Sequence, residues 1–305
     1  MTILSRRLGG IITLLSLILI LAGYFILNYY HKEFQLVNEN FPKPQEIKSP
    51  VTPTRIISLS PNITEIMFAL GAGDRLVGVT TFCNFPPEAA KITKVGGVLD
   101  PNYEKMVSLA PDVVIVLKSQ QQSAVELQQL GLKTFVVAND TLNDVFESIT
   151  SIGELLGRRK EAASLRTDME TSMNTIRDKV AGLEKRRAAF VFEHSRGALQ
   201  DIYVAGKGNF INELLDMAGG YNVFADVGMG YPQVNMEAFI ERKPEVIFDA
   251  TQDPGDPYGV LRDLESMRGL RIYFCYIDFN QVPGPRLVDS LDYLARRLHP
   301  EAFAE

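Results

Sequence analysis

Arg55-Ile56-Ile57-Ser58-Leu59-Ser60-Pro61-Asn62-Ile63-Thr64-Glu65 reads as a strand that turns directly into a helix. Its first half is β-branched and apolar, which suits a pleated, buried surface. Pro61 is preset for the first turn of a helix, where its missing N–H costs nothing. Thr64 or Asn62 is expected to cap that helix, which runs through Leu70 and stops at Gly71-Ala72-Gly73. Outward from this stretch the alternation repeats. Strands are expected at Leu76–Thr81, Asp112–Val116 and Thr134–Ala138, and helices at Tyr103–Leu109 and Ser123–Leu130. Such alternation predicts a parallel α/β unit.

The pattern changes at Thr141, which forms a plausible capping pair with Asp144 for a helix to Leu156. From Arg159 to Lys185 the apolar positions Ala162, Leu165, Met169, Met173, Ile176, Val180 and Leu183 fall on one helical stripe. A helix of about 25 residues spans nearly 40 Å, long for a crossover and suited to bracing two units. Strand and helix patterns then resume: strands at Ala188–Phe192, Glu245–Phe248 and Ile272–Ile277, helices at Phe210–Met217, Met236–Glu241 and Pro285–Leu298. The expected fold is therefore α/β, with two Rossmann-like lobes of parallel sheet flanked by helices and a long rigid helix between them. The N-terminal lobe is assigned to 55–140, the connecting helices to 141–187 and the C-terminal lobe to 188–305.

The halves carry a weak internal repeat. Asn102-x-Glu104 precedes Pro111-Asp112-Val113-Val114 by the spacing at which Asn235-x-Glu237 precedes Pro244-Glu245-Val246-Ile247, at an offset of 133. The strands at Ile56 and Ala189 share that offset.

Composition narrows the function. The 305 residues carry 31 basic and 37 acidic side chains, a net charge of -6, so no basic face for nucleic acid is expected. Two cysteines exclude a disulfide framework or a four-cysteine zinc site, and three histidines limit acid–base chemistry. Leu8 to Leu27 contains no charge and follows Arg6-Arg7. Twenty such residues match a bilayer core, and the preceding positive charge places the rest of the chain outside the cytoplasm. Residues 1–27 are thus read as a transmembrane anchor, with a cleaved signal as the competing reading. Leu21-Ala22-Gly23 resembles the start of a lipoprotein cleavage box, but Tyr24 stands where Cys is required. Residues 28–54, with four prolines and no periodicity, are expected to form a tether.

The opening stretch resembles that of the helical-backbone (class III) periplasmic solute-binding proteins of ABC importers, a family handling cobalamin, haem and ferric siderophores. Val77-Gly78-Val79-Thr80-Thr81-Phe82-Cys83-Asn84-Phe85-Pro86-Pro87, Lys94-Val95-Gly96-Gly97, Leu109-Ala110-Pro111-Asp112-Val113-Val114 and Tyr231-Pro232-Gln233-Val234-Asn235-Met236-Glu237 share that family's form. The likeness covers about residues 54–300 and is strongest toward the cobalamin binders. It implies two lobes joined by one stiff helix, with ligand held in the cleft. It also implies that acidic residues at the lobe tips, here Glu104 and Glu237, dock onto arginines of a permease dimer that works with an ATPase.

The expected cleft residues are Ser60, Pro61, Asn62, Phe82, Asn84, Phe85, Gly97 and Val98 from the first lobe. From the second they are His194, Arg196, Tyr231, Asp278 and Arg286. An aromatic at Phe82 suits a flat macrocycle. The absence of Trp departs from the cobalamin binders, which carry one near Val98. His194 is read either as a ligand to haem iron or cobalt or as a histidine satisfied by backbone. Arg196 and Arg286 are read as partners for an acidic ligand or as surface ion pairs. Tyr231 is read as a rim aromatic, with haem-iron ligation as the alternative. Cys83 and Cys275 are expected as independent thiols. The expected function is capture of a metal chelate, a corrinoid before a ferric siderophore or haem, and its delivery to an ABC importer. A membrane-tethered ligand sensor is the alternative from another class. No resident cofactor or metal, no catalysis and a monomeric state are expected.

Overall fold

The first strand, β1 (Ile56–Ser58), lies between β2 (Leu76–Val79) and β3 (Val113–Leu117), and β4 (Thr134–Val137) completes a four-stranded, wholly parallel sheet in the order β2-β1-β3-β4. The computed structural model describes residues 52–98, 100–195, 201–251, 269–275 and 282–304. The proposed anchor and nearly all of the tether, together with Leu99, Arg196, Asp278, Phe279 and Asn280, lie outside the described residues. Among the described residues no helix is long and apolar enough to cross a membrane.

All five residues of β3 are buried. Both faces of a parallel sheet are covered by crossover helices, so its strands read as continuous apolar runs. Val113, Ile115 and Leu117 pack on the side of α1 (Pro61–Ala69), while Val114 and Val116 join Met106 of α2 (Tyr103–Ser108) and Leu127 of α3 (Gln121–Gln129). Neither Thr64 nor Asn62 caps α1. The N-cap is Ser60, with extended backbone, and the Thr64 hydroxyl lies 3.2 Å from the Ser60 carbonyl. The expected pairing of Thr141 with Asp144 does form, as a capping box opening α4 (Leu142–Leu155).

The long helix α5 spans Arg159–Val180, about 33 Å. It ends five residues before Lys185 because Ala181 is extended and Gly182 takes a left-handed φ of 84°. Leu183 therefore falls off the stripe and is exposed. The remaining stripe buries Ala162, Met169, Met173, Ile176 and Val180 between α4 and the last helix, α8 (Leu287–Leu298). One apolar core thus runs from Ile56 through this stripe to Leu298.

The second sheet departs from the expected all-parallel form. β5 (Arg186–Glu193) pairs in parallel with β7 (Gly220–Asn222) and β9 (Val246–Asp249), and β9 with β10 (Arg271–Phe274). However, β6 (Ile202–Val204) and β8 (Gln233–Val234) add antiparallel strands on the far side of β5. Helices α6 (Phe210–Met217) and α7 (Met236–Arg242) complete the unit.

The internal repeat is visible in the ladders, with one correction. Ile56 lies opposite Val113, and Ala188 lies opposite Val246. The β3 and β9 positions differ by 133 as expected, but the partner of Ile56 is Ala188 rather than Ala189. A one-residue shift moves a side chain to the other face, and Ala188, like Ile56, belongs to the core shared with α5.

Candidate functional site

The carboxyl ends of the parallel strands converge on loops that carry the expected site residues, the usual position for ligands in open α/β sheets. At the end of β1 the turn into α1 is held by hydroxyls. Ser58 Oγ donates to the Ser60 carbonyl at 2.9 Å, and Thr64 Oγ1 donates to Ser58 Oγ at 2.8 Å. Pro61 follows at the helix start, and Asn62 is 1% exposed. Neither polar atom of the Asn62 side chain has a hydrogen-bond partner among the described residues. A buried, unpaired amide is uncommon and calls for an explanation.

After β2 the chain turns outward. Phe82 is 65% exposed, and its ring lies beside Gly97, where an added Cβ would come 3.4 Å from Cε2. Asn84, Phe85 and Val98 are also exposed. The loop is tethered from below: Lys94 Nζ donates to the Cys83 carbonyl at 2.7 Å, and Thr80 and Thr64 hydroxyls contact Cys83 Sγ at 3.1 and 3.2 Å. The two cysteines are free thiols, as expected, and both are buried.

In the second lobe the His194 ring meets backbone on one side and a carboxylate on the other. Its Nδ1 meets the Ser195 carbonyl at 2.9 Å, a contact in which the ring must donate, and Nε2 faces Asp249 Oδ2 at 3.4 Å. Asp249, buried at the end of β9, also accepts from the Thr251 amide.

Tyr231 packs on Phe192 with ring centroids 4.5 Å apart. Burial, with a smaller contribution from the negative charge of Asp140, pushes its phenol up to about 12. The hydroxyl therefore stays protonated.

Arg286, expected to meet an acidic ligand, is already engaged. Its Nε and a terminal nitrogen donate to the two carboxylate oxygens of Glu65, at 2.9 and 2.5 Å. Its guanidinium also lies 4.1 Å from the centre of the Phe85 ring. Arg196 and Asp278 lie outside the described residues.

Sequence reasoning missed Glu65, Asp140 and Asp249, whose partners are remote in the chain. It also missed Met229, two positions before Tyr231 in the chain, which is 72% exposed. Its flanking Gly228 and Gly230, both at positive φ, mark a tight turn that presents it, and this was the available signal.

Glu104 and Glu237 are exposed in the first turns of α2 and α7. Each helix is capped by the asparagine two residues earlier, at 2.9 Å in both lobes.

Residues 56–263 match the sequence profile described as periplasmic binding protein. The chain is 33% identical over 273 residues to an uncharacterized ABC transporter substrate-binding lipoprotein of Bacillus subtilis, covering 86% of this chain and 85% of that protein. It is 29% identical over 242 residues to the vitamin B12-binding protein of Vibrio parahaemolyticus, covering 78% and 86%. The crystal structure of the periplasmic vitamin B12 binding protein of Vibrio cholerae superposes with a TM-score of 0.71 at 25% identity, covering 84% of this chain and all of that one. The α/β sheets, the strand-end loops and these similarities together place the chain in the periplasmic binding protein family.

Proposed function

We propose that this protein captures a corrinoid in the cleft at its strand ends and delivers it to the permease of an ABC importer. The observation that carries the ligand reading is the pairing of exposed apolar groups with charges that are already satisfied. Phe82, Phe85, Val98 and Met229 offer apolar surface. Among the described residues of this cleft, Arg286 is matched by Glu65, and the Asp249 carboxylate faces the His194 ring. Such a surface suits a large, flat ligand whose periphery is amide rather than carboxylate. Haem would bring two propionates, and the guanidinium of Arg286 is already taken up by Glu65. The vitamin B12-binding relatives favour the same choice.

Transport is favoured over sensing by the transporter relative and by the exposed Glu104 and Glu237, one on each lobe, which are suited to guanidinium partners on a dimeric permease. Leu8–Leu27 serves as the membrane anchor in this reading, since Tyr24 replaces the cysteine a lipid anchor needs. The protein then works outside the cytoplasmic membrane as a monomeric carrier without catalysis.

The test is titration of the full-length chain with cyanocobalamin, cobinamide, haemin and a ferric siderophore. Saturable binding of a corrinoid, micromolar or tighter, supports the proposal. Binding of haemin or the siderophore alone replaces the ligand, and binding of none refutes the chelate reading.

A further inference from the structure

Arg286 precedes α8 in the second lobe, yet its side chain ends between two residues of the first. On one side is Glu65, from the second turn of α1, with its side chain only 3% exposed. On the other is Phe85, from the loop after β2, whose ring the guanidinium covers. The contact spans 221 positions in sequence. It is also continuous with the ligand-facing surface, because Phe85 keeps one part of its ring exposed while the other meets Arg286. Gly284 lies two residues before Arg286, and an added Cβ there would come 3.6 Å from Asn62, so this segment packs against the start of α1 as well.

A planar guanidinium gripping a carboxylate at two points fixes direction as well as distance, which a single ammonium contact does not. Burial of the carboxylate makes separation costly, because each charge would be left without its partner in a poorly solvated place. Helix α5 connects the lobes along one line, and a single line leaves rotation about it less restrained. A second attachment, made of side chains and set at the strand ends, removes that freedom where the ligand sits.

We propose that Arg286 is a positioning residue: with Glu65 it clasps the two lobes at a set spacing and holds Phe85 as a fixed part of the ligand platform. The clasp itself is independent of ligand identity; only its effect on ligand release rests on the binding function proposed above.

Nitroxide labels at Glu104→Cys and Glu237→Cys report the spacing of the lobes in the full-length chain by pulsed dipolar spectroscopy. Cys83 and Cys275 are buried, and the unsubstituted chain serves as the labelling control. A narrow distance distribution is expected in this background and a broader, shifted one when Arg286→Gln or Glu65→Gln is added. Arg286→Lys, which keeps charge but loses the two-point grip, is expected to fall between. In unlabelled protein Arg286→Gln should speed cyanocobalamin release by at least about tenfold with little change in association. Phe85→Leu should then add less to the release rate than it does in the parent. An unchanged distance distribution in folded Arg286→Gln overturns the clasp. Should that variant fail to fold, an unchanged distribution in Glu65→Gln does so equally. Because the distances are measured without ligand, failure of corrinoid binding leaves this test intact.

Discussion

Asn102 and Asn235 hold the same station in the two lobes. Each caps a helix by accepting the amide of the residue three positions on, Lys105 and Ala238, at 2.9 Å. Each thereby sets the orientation of the first turn that presents Glu104 or Glu237. Replacing either asparagine by alanine is expected to cost about 1 kcal/mol of stability. Chemical denaturation measures that cost. Uptake by cells should fall more than ligand affinity does, since the caps lie beneath the turns that carry the proposed docking residues Glu104 and Glu237.

Reversing both carboxylates, with Glu104→Lys and Glu237→Lys, should abolish transport and leave cyanocobalamin affinity unchanged. The two readouts are uptake in reconstituted vesicles and equilibrium titration. A parallel loss of affinity would sink the docking assignment.

Phe82 is exposed and contributes little to the core, so Phe82→Ala should shift stability by less than about 0.5 kcal/mol. Corrinoid binding should nevertheless weaken by about tenfold, the loss expected for an aromatic contact face. Calorimetric titration and thermal melting separate the two effects, and unchanged affinity would remove Phe82 from the ligand surface.

Asp112 accepts from the backbone amides of Thr54 and Arg55 and from the Thr54 hydroxyl. These donors, the amides first, hold its carboxyl below the usual carboxylate range. A depressed folded-state pKa means the contribution is present above the unfolded value, about 3.9, and disappears as pH falls through the folded one. Asp112→Asn should therefore be less stable than the parent at neutral pH, and the gap should close in strong acid. Urea melts across pH 2 to 7 give the comparison (that range brackets the carboxylate values). A gap that persists unchanged to the acid end would contradict this account.

Cys275 is buried, and burial pushes its thiol up to about 12. Neither cysteine should react with a thiol reagent in native protein, and both should react in denaturant. Fast modification of the native chain would contradict the packing described.

The sequence by itself determined the alternation of strands and helices, the place of the long helix, and the capping residue Thr141. These are local properties: apolar period, proline and glycine positions, and side chains that bond the backbone three residues away. The exposure of Phe82 and Phe85 was legible for the same reason, because both sit in a turn-rich segment between periodic ones. Only the tertiary structure decided what the charged and polar groups of the cleft do. Arg286 and His194 each read alone as either a ligand contact or a group satisfied within the protein, until Glu65 and Asp249 arrive from 221 and 55 positions away. The partner of Ile56 in the repeat was decided in the same way, since the choice between Ala188 and Ala189 depends on which face meets α5. The antiparallel strands β6 and β8 escaped because a strand of two or three residues carries too little pattern to declare its direction. Pairing across long stretches of chain depends on which surfaces the folded core brings together, and local pattern does not encode that.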